Sequence, residues 1–402
     1  MKNIIDYVEN ELSTMDEKQF NPVDSLILSQ VAYFELEGLV GGLNPRKANI
    51  RFIDLLKSEN FNRMLGSLIY PKLNKDLLFA LACSPRFRNI QINFFEKKLD
   101  INTEKQFAAI TYILDKHTAY IAFRGTDDSI IGWKEDFNMA FLSPIPSHIE
   151  GVNYVNKISK LLKHNLYIGG HSKGGNIAVY SAMNCKQIIF PRIIQVFSHD
   201  GPGFRNEVIE CPNFYKIKNK IHKTIPYSSI VGMILEYHED YNVVNSRGLS
   251  IFQHNPFKWE IVDRDFNYVK DVSAYSKHFN KTFNKWLNNI SDDKRKLFID
   301  SLFQVLTSTN VDGFSQLIDD WKLNIPIILD SLKNLDPEIK SMIIQLLKEL
   351  RNIYIKNLYP FENLTKIKFP KKSMVTRKLI LKSYSNKKNY CTLKIKNTNN
   401  KQ

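Results

Sequence analysis

Residues 166–183 read LYIGGHSKGGNIAVYSAM, and the order of residue types in them decides the fold. Leu166-Tyr167-Ile168 is a short apolar run that ends in Gly169-Gly170, while Ile177, Ala178, Tyr180, Ser181 and Ala182 supply small and apolar residues at helical spacing. The stretch therefore predicts a buried strand, a tight turn and a helix in that order. Gly170-His171-Ser172-Lys173-Gly174 falls at the turn and matches G-x-S-x-G, in which the two glycines relieve crowding where strand and helix cross and leave the serine hydroxyl above the sheet edge. An alcohol is a weak nucleophile, so Ser172 is useful only with a general base beside it and N–H donors for the charge of a tetrahedral intermediate. The Lys173 N–H is the first candidate donor.

The surrounding chain bounds the possibilities. With 43% hydrophobic and 12% aromatic residues, 402 residues can fill one large core and an appendage. Residues 1–20 carry Asp6, Glu9, Glu11, Asp16 and Glu17 without a long apolar run, so no signal peptide is expected there, and no segment approaches membrane-spanning length. Cys83, Cys185, Cys211 and Cys391 are scattered with no C-x-x-C pair, so a reducing, cytoplasmic setting is expected and neither zinc nor a disulfide framework is indicated. The net charge of +15 resembles a nucleic-acid signal until it is located: twelve Lys or Arg and no Asp or Glu follow residue 365. No recognised nucleic-acid motif accompanies that tail.

Strand-like runs at Phe94–Leu99, Lys105–Leu114 and Thr118–Phe123, separated by turn-forming Asp100-Ile101-Asn102 and Asp115-Lys116-His117, predict an antiparallel hairpin leading into a central strand. The last ends in Arg124-Gly125-Thr126-Asp127-Asp128. A loop after an early strand is where the second N–H donor to a G-x-S-x-G serine is found, and Thr126 offers both an N–H and a hydroxyl. Before these strands, residues 3–19 and Ser25–Leu36 are expected to be helices, the second preceded by a cap at Asn21-Pro22-Val23-Asp24.

AYIAFRGTDDSIIGWKEDF together with YIGGHSKGGNIAVYSA resembles the class 3 lipase superfamily, with its F-R-G-T segment, downstream Trp and Asp, and serine elbow. NPVDSLILSQVAYFE, GHSKGGN, SHDGPGF and QHNPFKWE are more closely similar to a bacterial Mbeg-like family of unknown function related to those lipases, over about residues 1–300. The resemblance implies an α/β-hydrolase fold, a mostly parallel sheet with flanking helices, and acyl hydrolysis without an established substrate. It also implies a lid at Phe137–His148; a proline-containing loop packed on the core reads equally well there.

Ile188–Phe197 contains another buried strand, ending in Ser198-His199-Asp200-Gly201-Pro202-Gly203, and catalytic groups collect at the carboxyl ends of such strands. Asp200 is the candidate acid. The class 3 pattern takes its acid from a later D-x-V-P motif, but the similar stretch here, Tyr227 to Gly232, has Ser229 in the aspartate's place. In the chain order serine, acid, histidine, His222, His238, His254 and His278 remain as bases. His254, after a strand-like Tyr241–Phe252 and within the segment that matches the family, is preferred, with His238 as its rival and Trp259 expected to pack beneath the loop.

From about Lys270 the strand pattern stops, and apolar residues recur at helical intervals over 273–289, 292–308, 313–321 and 337–354. The expected organisation is a hydrolase domain over 1–270, a helical appendage over 271–360 and a basic tail over 361–402. The functional expectation is a cofactor-free serine hydrolase cleaving an acyl ester through Ser172, His254 and Asp200, with Thr126 and Lys173 holding the oxyanion. Its alternatives are a non-catalytic scaffold on the same fold, or a phospholipase that the tail draws to anionic membranes.

Overall fold

Asn21 begins the helix on which one face of the sheet rests. In a computed structural model, which describes residues 2–43, 50–237, 240–309, 313, 316 and 321–344, α1 (Ile4–Asn10) and α2 (Pro22–Val31) each open with a capping box, Asn3 with Asp6 and Asn21 with Asp24. Each pairing satisfies N–H groups that the first helical turn cannot. α1 is shorter than its periodicity predicts because Glu11 turns its carboxylate onto the Ser13 N–H and onto Lys18 and Arg264. Every residue of α2 from Val23 to Val31 is buried. Its Ser25 and Ser29 hydroxyls meet the Tyr120 hydroxyl at 3.0 and 2.7 Å, and its Leu28 carbonyl accepts from Tyr112.

β1 (Ile50–Arg51) is the edge strand of a nine-stranded mixed sheet, antiparallel to the strand that follows it, and α3 (Ser58–Leu65) and α4 (Pro71–Cys83) lie between the two in sequence. β2 (Gln91–Asp100), β3 (Lys105–Ile113) and β4 (Thr118–Phe123) pair antiparallel, where the strand-like runs and the turns between them predict it. After α5 (Ile130–Asn138) and α6 (Pro146–Leu161), β5 (Asn165–His171) joins β4 in parallel. α7 (Lys173–Asn184) leads to β6 (Ile193–His199), then α8 (Asn206–Ile209) and α9 (Pro212–Ile217) to β7 (Ile221–Pro226) and β8 (Asn242–Val244), all parallel. A small antiparallel pair, β9 (Ile261–Val262) with β10 (Asp265–Phe266), is followed by β11 (Tyr268–Val269), which closes the sheet against β8. Strand order equals chain order throughout.

That order has a physical consequence. Consecutive right-handed crossovers between parallel strands laid down in one direction all fall on the same face. Accordingly α6, α7 and α9 cover the face bearing Ala119, Ile121, Phe123 and Val196, and the opposite face, bearing Tyr120, Ala122 and Phe197, is covered by α1 to α4.

No strand follows Val269 among the described residues. α10 (Ala274–Asn288), α11 (Asp292–Thr307) and α12 (Trp321–Ser331) follow, with a further helical stretch from 337 to 344. Phe298, Leu302 and Phe303 of this region share a cluster with Met139, Ala140 and Ile145. The segment 137–148 therefore lies packed beneath α11: Phe137 and Phe303 meet edge to face at 5.5 Å, and the Ala140 and Phe141 carbonyls accept from Arg295 and Arg205. The basic tail and most of residues 313–320 lie outside the described residues.

Candidate active site

The two elbow glycines are required by contact. A Cβ on Gly170 would stand 2.3 Å from the Gly174 carbonyl carbon, and one on Gly174 would stand 2.1 Å from the Phe123 carbonyl oxygen. Between them Ser172 adopts φ 59°, ψ −136° and caps α7. Such backbone costs on the order of 1–3 kcal/mol and persists only where its surroundings enforce it. Here β6 enforces it, since the Ser172 N–H donates to the His199 carbonyl at 2.9 Å.

The loop after β4 lies alongside. A Cβ built on Gly125 would be 2.9 Å from the Ser172 Cβ and 2.2 Å from the Tyr33 hydroxyl. Among the described residues neither the Thr126 nor the Lys173 N–H has an acceptor. The Thr126 hydroxyl donates to Asp136 on α5. Burial raises the Asp136 carboxyl to about 6, although the Lys173 ammonium and the Thr126 hydroxyl oppose the rise. The Lys173 side chain, assigned no part by the sequence, is fully buried and paired with Glu135 at 2.9 Å.

Asp200 also has a positive φ, 48°, immediately after β6. Its Oδ1 accepts from the Ser229 hydroxyl at 2.5 Å and the Gly232 N–H at 3.1 Å, while its Oδ2 stands 2.6 Å from His254 Nδ1. Ser229, at the position where the lipase pattern has its acid, thus supports the carboxylate of Asp200. His254 sits at the end of a 3-10 turn, Ser250–His254, rather than after the long strand expected over 241–252. Only Asn242–Val244 is extended, because Gly248 at φ 87° and Ser250 at φ 54° turn the chain away. Gln253 anchors the turn by accepting from the Ser228 N–H and donating to the Ser246 and Gly248 carbonyls. Trp259, fully buried, donates to the Gln253 carbonyl at 2.8 Å.

His171, the residue before Ser172, joins the two halves. Its ring lies 4.4 Å from that of His254, its Nε2 donates to the His254 carbonyl at 2.8 Å, and its Nδ1 accepts from the Tyr33 hydroxyl at 3.1 Å. Burial, with smaller contributions from the neighbouring His254 and His199 imidazoles, pushes the His171 pKa well below the usual imidazole value, so it stays neutral in this arrangement. Of the other histidines proposed as bases, His222 packs against Phe197, His278 lies on the exposed face of α10, and His238 falls outside the described residues. Tyr33, His171 and Asp136 were given no role by the sequence, although each lies in a segment that carries the family resemblance.

A strained serine between strand and helix, two N–H groups beside it without an acceptor among the described residues, and an aspartate at the next strand end paired with a histidine in a 3-10 turn fit an α/β-hydrolase fold. The chain belongs to the Mbeg1-like family, whose profile matches residues 81–304. Among solved structures it is similar to the Rhizomucor miehei lipase propeptide complex, at 18% identity over 39% of this chain and 57% of that one, with a TM-score of 0.29. It is also similar to lipase II from Rhizopus niveus, at 19% identity over 39% and 67% with a TM-score of 0.30. For M37 lipase the identity is 15% over 52% and 68%, with a TM-score of 0.32. No curated protein matches the sequence.

Proposed function

We propose that the protein is a serine hydrolase that cleaves acyl esters through Ser172, His254 and Asp200. The observation that carries this reading is the 2.6 Å contact between His254 Nδ1 and Asp200 Oδ2, made by a histidine whose ring lies against the residue preceding Ser172. With Oδ1 already holding the Ser229 and Gly232 donors, Asp200 accepts a hydrogen bond from His254 Nδ1–H through Oδ2, which leaves Nε2 as the basic nitrogen. Ser172 Oγ attacks the ester carbonyl and His254 Nε2 accepts its proton. The negative oxygen is received by the Thr126 and Lys173 N–H groups. The tetrahedral centre then collapses, the C–O bond to the alcohol breaks, and His254 returns the proton to the leaving oxygen. Water repeats the sequence on the acyl-enzyme.

The acyl ester preference rests on the class 3 lipase resemblance of the sequence, and a reducing compartment on four scattered cysteines with no C-x-x-C pair. The test is labelling with a fluorophosphonate probe beside turnover of short p-nitrophenyl esters. Wild type is expected to label and turn over, and Ser172→Ala to do neither while melting as wild type does. A Ser172→Ala variant with undiminished turnover would refute the mechanism.

A further inference from the structure

Lys173 carries a buried ammonium directly behind the nucleophile, and a buried ion pair is weak evidence for stability, since apolar residues of similar volume do as well or better there. All three of its protons are committed: Nζ donates to the Gln106 carbonyl at 3.1 Å, to Gln106 Oε1 at 2.8 Å and to Glu135 Oε2 at 2.9 Å. Glu135 in turn accepts from the Gln106 N–H at 3.0 Å, the Ser147 N–H at 2.9 Å and the Ser147 hydroxyl at 2.8 Å. Gln106 reaches onward, its Nε2 donating to Asp127 at 3.3 Å in the loop that carries Thr126. One cation thus fastens β3, α5 and the start of α6 to the first residue of α7.

The neighbour of Glu135 extends the connection. Successive helical residues point about 100° apart, so while Glu135 faces the knot, Asp136 faces the loop and accepts from the Thr126 hydroxyl through Oδ2. Its other oxygen, Oδ1, is buried without a hydrogen bond and lies 3.7 Å from the Lys173 ammonium. We propose that the Lys173 side chain is a positioning residue that sets the two oxyanion donors at a fixed separation, its own N–H on α7 and that of Thr126 through Asp136. This rests on the serine-hydrolase reading and adds to it a role for the side chain of the residue after the nucleophile.

The groups facing Asp136 make the role electrostatic as well as steric. Lys173 from α7 and His254 favour its anion, as does the Thr126 hydroxyl from the loop after β4; Glu135 on its own helix opposes it, and Tyr33 from the end of α2 lies within its field. Taking away the ammonium would move protonation of Asp136 to higher pH and loosen its hold on Thr126.

The experiment uses the paired variant Lys173→Met with Glu135→Gln, which removes both charges and keeps an amide oxygen as acceptor for the Gln106 and Ser147 donors, and it is expected to melt near wild type. For p-nitrophenyl butyrate, kcat is expected to fall about 100-fold, the usual cost of losing one oxyanion donor, with KM changed less than about 3-fold because ground-state binding does not use the hole. Fluorophosphonate labelling is expected to slow in parallel. In a Thr126→Val background, which already lacks the hydroxyl, the same pair is expected to cost at least 10-fold less, since residues acting as a unit do not contribute independently. Wild-type kcat in the paired variant, or losses that simply multiply, would overturn the proposal. Should the pair fail to fold, Asp136→Asn takes its place, and the same non-additivity with Thr126→Val decides. Absence of labelling in wild type itself would refute the hydrolase reading, and the proposal with it, which is a different result from a labelled wild type and an unimpaired variant.

Discussion

Replacing Asp200 by Asn keeps the shape of the side chain and removes its charge, and the structure says which way the amide must face. The Ser229 hydroxyl and the Gly232 N–H both donate to Oδ1, so the amide oxygen stays there and the NH2 group is turned toward His254. Imidazole then has to accept at Nδ1 and carry its proton on Nε2, the tautomer that cannot take the proton of Ser172. The imidazolium formed in the transition state also loses its counter-ion. Two unit charges about 4 Å apart at an effective dielectric of 20 interact by about 4 kcal/mol, which is about 10³-fold in rate, and the wrong tautomer adds to this. The expected result is a kcat for p-nitrophenyl butyrate lowered by about 10³ to 10⁴-fold with KM little changed. Thermal melting followed by circular dichroism serves as the control for folding. An Asp200→Asn variant retaining a tenth of wild-type kcat would show that Asp200 does not orient the base, and a histidine other than His254 would have to be sought.

Three further outcomes are expected. His148 accepts from the Ile145 N–H through Nδ1 and contacts Asn176 Oδ1 at 2.6 Å through Nε2, an arrangement that needs a neutral ring, and burial holds it down at about 4. The unfolded chain therefore binds this proton first, and stability should fall as pH drops from about 6.5 to about 4, by up to about 3 kcal/mol; urea unfolding at several pH values should show a shallower decline for His148→Gln than for wild type. Arg86→Met leaves the Asp24 carboxylate buried without its partner at 2.5 Å and is expected to cost about 3–5 kcal/mol in urea unfolding, with much of that recovered by Asp24→Leu in the same chain. Removing residues 370–402 should leave hydrolysis of a small soluble ester intact but reduce co-sedimentation with anionic vesicles, most at low salt, where each cation near the surface is worth about 1 kcal/mol; equal pelleting with and without the tail would refute membrane recruitment.

Local signals were legible and long-range ones were not. The hairpin strands, the elbow and the cap at Asn21 are written in neighbours two to four residues apart, and each formed within a few residues of where periodicity puts it. Asp200 and His254 could be proposed because both follow elements whose ends collect at one edge of the sheet, and the two side chains meet. Tyr33 could not: its hydroxyl reaches His171 across 138 positions of sequence, a contact created only when α2 lies on the sheet. The Lys173 ammonium was equally hidden, because a lysine after a nucleophile reads as exposed until Gln106 and Glu135 converge on it. The long strand expected before His254 failed for a local reason, two positive-φ residues, Gly248 and Ser250, within the run.

The sequential order of the parallel strands bears on where this protein can be cut. Residues 81–304, the span shared with the family, include every residue proposed for catalysis except the supporting Tyr33, so they invite use as a minimal unit. Yet all of the crossover helices lie on one side, and the other side is roofed by α1 to α4, whose Leu26, Ile27, Val31, Leu77 and Leu81 are each inaccessible to solvent. A fragment starting at residue 81 would leave Tyr112, Tyr120 and Phe197 facing water across the middle of the sheet. It is expected to be recovered as aggregate whatever the state of its active site, so loss of activity in such a fragment would report the missing roof and not the chemistry.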